Sequence, residues 1–384
     1  MRSTSRRDFL RASSALPFLL SGSSLFAHEE DPRFPGLIVR NTEPKNLEFP
    51  FSFLKDKITP NEQFFVRSHF AIPVISTEKW SLSVEGAVKQ KGTLNYDQLL
   101  KLPSTTITAT LECAGNGRVF LKPSVGGLQW GMGGISTAKW KGVSLFKLLE
   151  NAGVKEGAVE ILLEGTDKGQ INTDPKSPGP IHFGRSIPLS KAIQHGTILA
   201  YEMNDRPLPE EHGGPVRAII PGWFGVASVK WVKRLIVLNQ VHQGFWQTLD
   251  YAIWQRREEV PSLIPVTELQ VKSSIARPAL NEVIPPGSKQ KIFGAAWTGD
   301  SKIKKVEVST DNGQTWNIAK LQSDPEKYVW TLWEYDWQVP NQKGIMKLLS
   351  RATDERGQTQ PVERDIDRRT YMINHLVPVE VVVR

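Results

Sequence analysis

From Phe64 to about Leu238, short apolar runs alternate with segments whose apolar residues recur at helical spacing. Thr105 to Leu111 is a β-branched run that predicts a strand, and so do Ala158 to Leu163, Val216 to Ile220 and Val232 to Leu238. Ser144 to Leu149 carries leucines and a phenylalanine at helical spacing, with Ser144 as N-cap and Gly153 as stop. Pro188 to Gln194 predicts a second, short helix. This mixture points to an α+β domain. After about Val260 the pattern changes. Val306 to Ser309, then Asp311-Asn312-Gly313, then Thr315 to Ile318 predict a hairpin, because Asn-Gly tolerates the positive φ angles of a tight turn. Alternating runs follow at Tyr328 to Trp337 and Ile345 to Ala352, with no helical pattern, so this part predicts a β-sandwich.

The boundaries that follow are an N-terminal address at 1–27, an irregular arm at 28–60 rich in Pro, Glu and Asn, a first domain at 61–260 and a second at 261–384. A chain of 384 residues has room for two such cores. The address begins Ser5-Arg6-Arg7-Asp8-Phe9-Leu10 ahead of a weakly apolar stretch, Ala12 to Phe26, with Ala27 as cleavage point. Paired arginines in that setting predict the twin-arginine export machinery, which carries folded proteins to the periplasm. No later stretch is long and apolar enough to span a membrane, which argues against stable insertion.

Charge narrows the picture a little. The net charge is +8, of which Arg2, Arg6, Arg7 and Arg11 less Asp8 contribute +3, leaving about +5 for the rest. The basic residues are scattered singly, without the stripe and stacking aromatics of a nucleic-acid surface. A mildly positive field suits an anionic small molecule.

The sequence has one cysteine, Cys113, so an internal disulfide, a cysteine-rich zinc site and covalent haem attachment through two cysteines are all excluded. Leu111-Glu112-Cys113-Ala114-Gly115-Asn116-Gly117-Arg118 ends a strand, turns on small residues and presents an arginine five positions after the thiol. A nearby cation favours thiolate. On chemistry alone, a buried apolar cysteine, a nucleophile and a metal ligand all remain open. Two glycine-rich stretches, Gly126 to Gly134 and His212 to Gly225, fit neither dinucleotide nor phosphate-loop spacing and read as loops.

Together these pieces resemble the sulfite oxidase family of molybdopterin enzymes, from about Phe64 to the C-terminus. The signature is Glu112-Cys113-Ala114-Gly115-Asn116 with Arg118, joined by Phe65-Val66-Arg67-Ser68-His69, Gly134 to Trp140, Ala200 to Asn204, His212 to Arg217 and Val229-Lys230-Trp231. Ala296-Trp297, the Val306 to Trp316 hairpin and Arg351 to Asp354 resemble the family's dimerisation domain.

The resemblance implies that Cys113 is the protein ligand to molybdenum, beside a pyranopterin dithiolene. It implies that Arg67, His69, Asp167, His212, Arg217 and Lys230 hold the pterin and its phosphate, with backbone from Phe65, Val66 and Ser68 and from Ser228, Val229 and Lys230. Arg67, Arg118, Trp130 and Tyr251 match the family's substrate pocket, Tyr251 through Trp246-Gln247-x-x-Asp250-Tyr251. The chain departs from the family at Arg368-Arg369-Thr370-Tyr371, which leaves the place of a further pocket arginine open. The expected fold is a molybdopterin domain followed by an immunoglobulin-like sandwich that carries the contact of a homodimer, with Trp330, Trp333 and Trp337 either at that contact or in the sandwich core. The expected reaction is oxidation of sulfite to sulfate, with electrons passed singly to an external soluble cytochrome c and no haem in this chain. A family enzyme acting on a sulfane-sulfur carrier or on nitrate is the alternative reading. A cofactor-free scaffold is the alternative from another class.

Overall fold

The computed structural model describes residues 31–384; the predicted export signal lies outside them. The first domain is mainly sheet, with four short α-helices, and the second contains no α-helix. In one sheet of the first domain, the strand Ser104–Glu112 pairs with Ile135–Ser144, which pairs with Ile198–Met203. Arg206–Pro207 and Arg217–Ile219 both pair with Ile198–Met203. A second sheet runs Gly92–Asn95, Ser81–Gly86, Val232–Leu238, Glu160–Gly169, Ile181–Pro188. The helix Leu145–Ala152 lies where its spacing predicts. It buries Leu145, Leu148, Leu149 and Ala152 and ends on Gly153 at φ +64°. Ser144 precedes it without a side-chain cap.

The second domain is the predicted sandwich. One sheet holds Lys272–Arg277, Lys289–Trp297, Thr331–Gln338 and Lys320–Leu321. The other holds Val283–Ile284, Val379–Val383, Gly344–Asp354, Ile303–Ser309 and Asn317–Ile318. The Asn312-Gly313 hairpin forms, but its last cross-strand pair is Val308 with Asn317, so the loop is wider than a two-residue turn. Asp311 braces it by accepting from the Thr315 N–H at 2.9 Å. Asn312 and Gly313 do take positive φ, as predicted.

Two expectations are corrected. The arm is built into the fold: Ile38–Asn41 and Asn46–Glu48 form a sheet with Val66–Arg67, and Phe34, Leu37, Leu47, Phe49, Phe51 and Leu54 are buried in the first domain's core. Its apolar anchors have no period, so neither strand nor helix patterning reveals them. The three tryptophans are internal. Trp333 and Trp337 fill the sandwich core, and Trp330 packs on the first domain, donating from Nε1 to the Lys57 carbonyl at 2.8 Å. The domains therefore meet through shared core, not through a solvated linker contact.

Candidate active site

The strand Ser104–Glu112 delivers Cys113 to the floor of a cleft that holds about 670 Å³ of empty space, counted to its open mouth. The chain then turns: the Asn116 N–H donates to the Cys113 carbonyl at 2.9 Å and the Cys113 N–H donates to the Gly134 carbonyl at 2.8 Å. The strand Val66–Arg67 forms a second wall and continues into Ser68 and His69. Asp167 enters from a strand whose register slips between Glu164 and Lys168. His212 closes a short 3-10 turn, and Arg217, Ser228 and Lys230 follow from neighbouring segments. Tyr251, just after the helix Phe245–Thr248, completes the cleft, to which Phe65 adds an apolar side.

One end of the cleft is cationic and buried. Lys230 Nζ donates to Ser68 Oγ at 3.1 Å and to the Glu211 carbonyl at 2.9 Å. Burial, reinforced by Arg217, holds its ammonium well below the usual lysine range. Arg217 donates to the carbonyls of His212 at 2.8 Å and Ser228 at 3.0 Å, and burial lowers it to about 9. His212 Nε2 donates to the Asn61 carbonyl at 2.9 Å, and burial lowers it to about 3, so it is a neutral ring there. Asp167 is pushed up to about 6 by burial, and its Oδ1 has no partner. Buried cations short of counter-charge, beside an orphaned carboxylate oxygen, form a site that an anionic ligand bearing hydrogen-bond donors completes.

The other end surrounds Cys113. Arg67 donates to the Ser68 carbonyl and reaches Tyr251 Oη at 3.5 Å. Burial pulls Arg67 down, but Tyr251 and Cys113 outweigh it and leave it raised and charged. Tyr251 is pushed up to about 12, chiefly by burial, and its hydroxyl lies 2.6 Å from His69 Nε2. Burial and Arg67 keep His69 well below 6.5, so its ring is neutral and shares a hydrogen bond with the phenol through Nε2. His69 stacks on Phe183, with centroids 4.5 Å apart.

Four predicted residues do not line the cleft. Val66 and Val229 are core side chains, so only their backbone is near it. Trp130 is fully buried behind Phe65, with ring centroids 6.1 Å apart, and its Nε1 has no partner. Arg118 is wrapped in protein. It donates to the carbonyls of Leu128 at 2.8 Å and Thr370 at 3.3 Å, and lies 5.4 Å from the Tyr371 ring. A Cβ on Gly115 or Gly127 would strike its guanidinium at 2.4 Å or 2.9 Å, so glycine makes this crevice possible.

Sequence reasoning missed Tyr371 and Asp250. Tyr371 stacks on Tyr251 at 4.9 Å and donates to Asp250 Oδ1 at 2.6 Å, so it stands between Arg118 and the cleft. The departure at Arg368-Arg369-Thr370-Tyr371 was the available signal. Arg369 caps the Leu249 and Ala252 carbonyls, and Arg368 holds the Met372 carbonyl and Asn374. Neither lines the cleft. Phe183 and Glu211 also line it and give no sequence signal; Trp231 lines it too, and stands in the Val229-Lys230-Trp231 motif without an assigned role.

Comparison with known proteins agrees with this geometry. Residues 69–246 match the oxidoreductase molybdopterin binding domain, and residues 264–383 match the Mo-co oxidoreductase dimerisation domain. The sulfite oxidase of Gallus gallus is 35% identical over 353 residues, covering 86% of this chain and 74% of that protein. The mitochondrial sulfite oxidase of Homo sapiens is also 35% identical, with 87% of this chain and 63% of that one covered. A nitrate reductase of Phaseolus vulgaris is 33% identical over 86% of this chain and 40% of its own length. Among solved structures, the sulfane dehydrogenase SoxCD from Paracoccus pantotrophus superimposes with a TM-score of 0.76 at 26% identity, covering 98% of this chain and 96% of that one. The cleft built on Cys113 and both matched domains lead to one statement: the chain belongs to the sulfite oxidase family of molybdopterin-dependent oxidoreductases.

Proposed function

We propose that the protein oxidises sulfite to sulfate in the periplasm and passes the electrons singly to an external cytochrome c. The observation that carries this reading is the division of the cleft: buried cations at one end, and the single thiol beside Arg67 and Tyr251 at the other. Cys113 is the residue that ligates molybdenum, and soft sulfur suits that metal. Arg217, Lys230 and His212 would hold the phosphate end of the pyranopterin, and the unpartnered Asp167 carboxylate would take a donor of the pterin. When bound, the molybdenum–dithiolene group supplies the two-electron oxidation and the transferred oxygen.

The chain's own residues bind and orient. Arg67 offers its guanidinium to the sulfite oxygens, and burial strengthens that contact. Tyr251, protonated at neutral pH, is a hydrogen-bond donor that His69 holds toward the thiol end of the cleft. Sulfite and water give sulfate, two protons and two electrons, so the site needs a proton exit. The Tyr251–His69 pair lines the same cleft as Cys113 and offers such a path. A haem acceptor takes one electron at a time, and the single cysteine rules out two-cysteine haem attachment within this sequence. The Ser5 to Leu10 motif supports twin-arginine export, which changing Arg6 and Arg7 to lysine should block.

A second reading, oxidation of sulfane sulfur, is favoured by one observation. Of the pocket arginines the resemblance implies, only Arg67 lines the cleft, which suits a less charged substrate. Steady-state turnover of molybdenum-loaded protein with cytochrome c decides. Sulfite turnover supports the first reading; turnover with a sulfane carrier but not sulfite replaces it. Cys113→Ser should fold and retain pterin yet lose turnover, and normal turnover by that variant would remove Cys113 from its role.

The homodimer is part of the proposal. On the outer face of the five-stranded sandwich sheet, Val283, Val382 and Ile345 stand side by side across three strands. Val283 is 48% and Ile345 68% exposed, an apolar row suited to the same row of a second copy.

A further inference from the structure

Glu112, next to the thiol, has its carboxylate 3% exposed and satisfied almost wholly from elsewhere in the fold. Lys272 Nζ donates to its Oε1 at 3.0 Å, and Trp297 Nε1 donates to its Oε2 at 2.8 Å. Lys272 and Trp297 are cross-strand partners, at the start of Lys272–Arg277 and the end of Lys289–Trp297. Both belong to the dimerisation domain, and both reach into the first domain. The Lys272 side chain is only 2% exposed. The third donor to Glu112 is local: Asn116 Nδ2 at 3.0 Å. Asn116 also accepts from the Gly134 N–H at 2.9 Å, and Lys272 Nζ donates to the Asn116 carbonyl at 3.4 Å. The residues on either side of the Cys113 turn are therefore tied to one cation from the other domain.

A buried ion pair is a poor device for stability, because desolvation offsets most of the attraction. It is a good device for fixing a geometry, since each charge tolerates few positions of its partner. Here what is fixed is the chain on either side of Cys113, from which the direction of its side chain follows. That direction sets sulfur–metal overlap, which governs the potential of a thiolate-bound metal.

We propose that Lys272 and Trp297 are positioning residues for Cys113, acting through the Glu112 carboxylate, so that the dimerisation domain is a working part of the active site. This rests on the assignment of Cys113 as metal ligand.

The test compares molybdenum-loaded wild type with Lys272→Met, Lys272→Arg and the double variant Glu112→Gln/Lys272→Met. Three readouts are taken: melting temperature, midpoint potential of the centre, and kcat separately from KM. The double variant leaves no orphaned carboxylate, so it keeps the comparison available if Lys272→Met alone does not fold. The expected result is a kcat at least tenfold lower with KM within twofold, and a midpoint potential displaced beyond replicate spread, in every folded variant that lacks the cation. Lys272→Arg should recover part of both. A double variant with wild-type potential and kcat would overturn the proposal, whatever its melting temperature, and so would a KM change without a kcat change. The two claims fail separately. A wild type that binds molybdenum but does not oxidise sulfite defeats the substrate reading alone, and the potentials still decide the role of Lys272.

Discussion

Arg67 and Arg118 carry the same charge and occupy different worlds. Arg67 lines the cleft beside Tyr251, whereas Arg118 spends its donors on the Leu128 and Thr370 carbonyls behind Tyr371. A hydrogen bond to a charged group contributes about 1.5–3 kcal/mol. Arg67→Gln should therefore lower kcat/KM for sulfite by about tenfold to a few hundredfold, and Arg118→Gln by less than about tenfold. Steady-state kinetics at low salt checks this, and the reverse order would place Arg118 at the substrate. The buried titrating groups give a second residue-scale prediction, on cofactor-free protein. Asp167 has a folded pKa of about 6, raised from 3.8, so its contribution to stability is fully present below about 3.8 and is lost as pH rises through 6. At pH 7 its burial costs about 3 kcal/mol. His212 runs the other way, because its folded value of about 3 lies below 6.5 and stability falls as pH drops under 6.5. Asp167→Asn should thus melt higher than wild type at pH 7 and lose that advantage by pH 4. An unchanged difference between pH 7 and pH 4 would mean that Asp167 does not titrate as a buried acid.

At the scale of elements, legibility followed periodicity. The helix Leu145–Ala152, the strand Val232–Leu238 and the sandwich strand Gly344–Asp354 each have a repeating apolar pattern, and each lies where that pattern predicts. The segment from residue 31 to 54 has none, yet it packs against the cationic end of the cleft and the Gly126 to Gly134 loop. Arg33 pairs with Glu211 at 2.7 Å, Phe34 meets the His212 ring edge-on at 6.1 Å, and the Phe49 N–H donates to the Gly133 carbonyl at 3.2 Å. Single aromatic anchors set in turns leave no periodic trace, which is why composition suggested an irregular arm. If the segment is core, Phe49→Ala should destabilise the protein by about 3–5 kcal/mol, the range for a buried phenylalanine. Urea unfolding measures this; a cost under about 1 kcal/mol would return the segment to the surface. The candidate site was legible through short motifs, each carrying a residue the cleft needs: Arg67, Cys113, His212 and Lys230. Tyr371 escaped because its role arises from packing on Tyr251, 120 residues away in sequence, which no local pattern records.

In the whole molecule the two domains share a buried core, and the proposed dimer needs a surface left over from it. The tryptophans expected at an interface are consumed within the chain: Trp330 points at Lys57, and Trp333 and Trp337 point inward. Among the exposed apolar side chains of the sandwich, Val283 and Ile345 flank the half-buried Val382 in one cross-strand row. Its two-residue edge strand, Val283–Ile284, is short enough to resist edge-to-edge pairing, so association would proceed face to face. In a twofold dimer each substitution appears twice and faces its own copy or a near neighbour. Ile345→Glu therefore places two carboxylates in an apolar contact, where each must be desolvated without a partner. The variant should remain folded, because Ile345 is 68% exposed and its neighbour Val381 keeps the core. Light scattering at micromolar concentration should then show a dimer for wild type and a monomer for Ile345→Glu, with unchanged sulfite turnover per site. A dimeric Ile345→Glu would move the contact to another face of the sandwich, and a monomeric wild type would remove the dimer altogether.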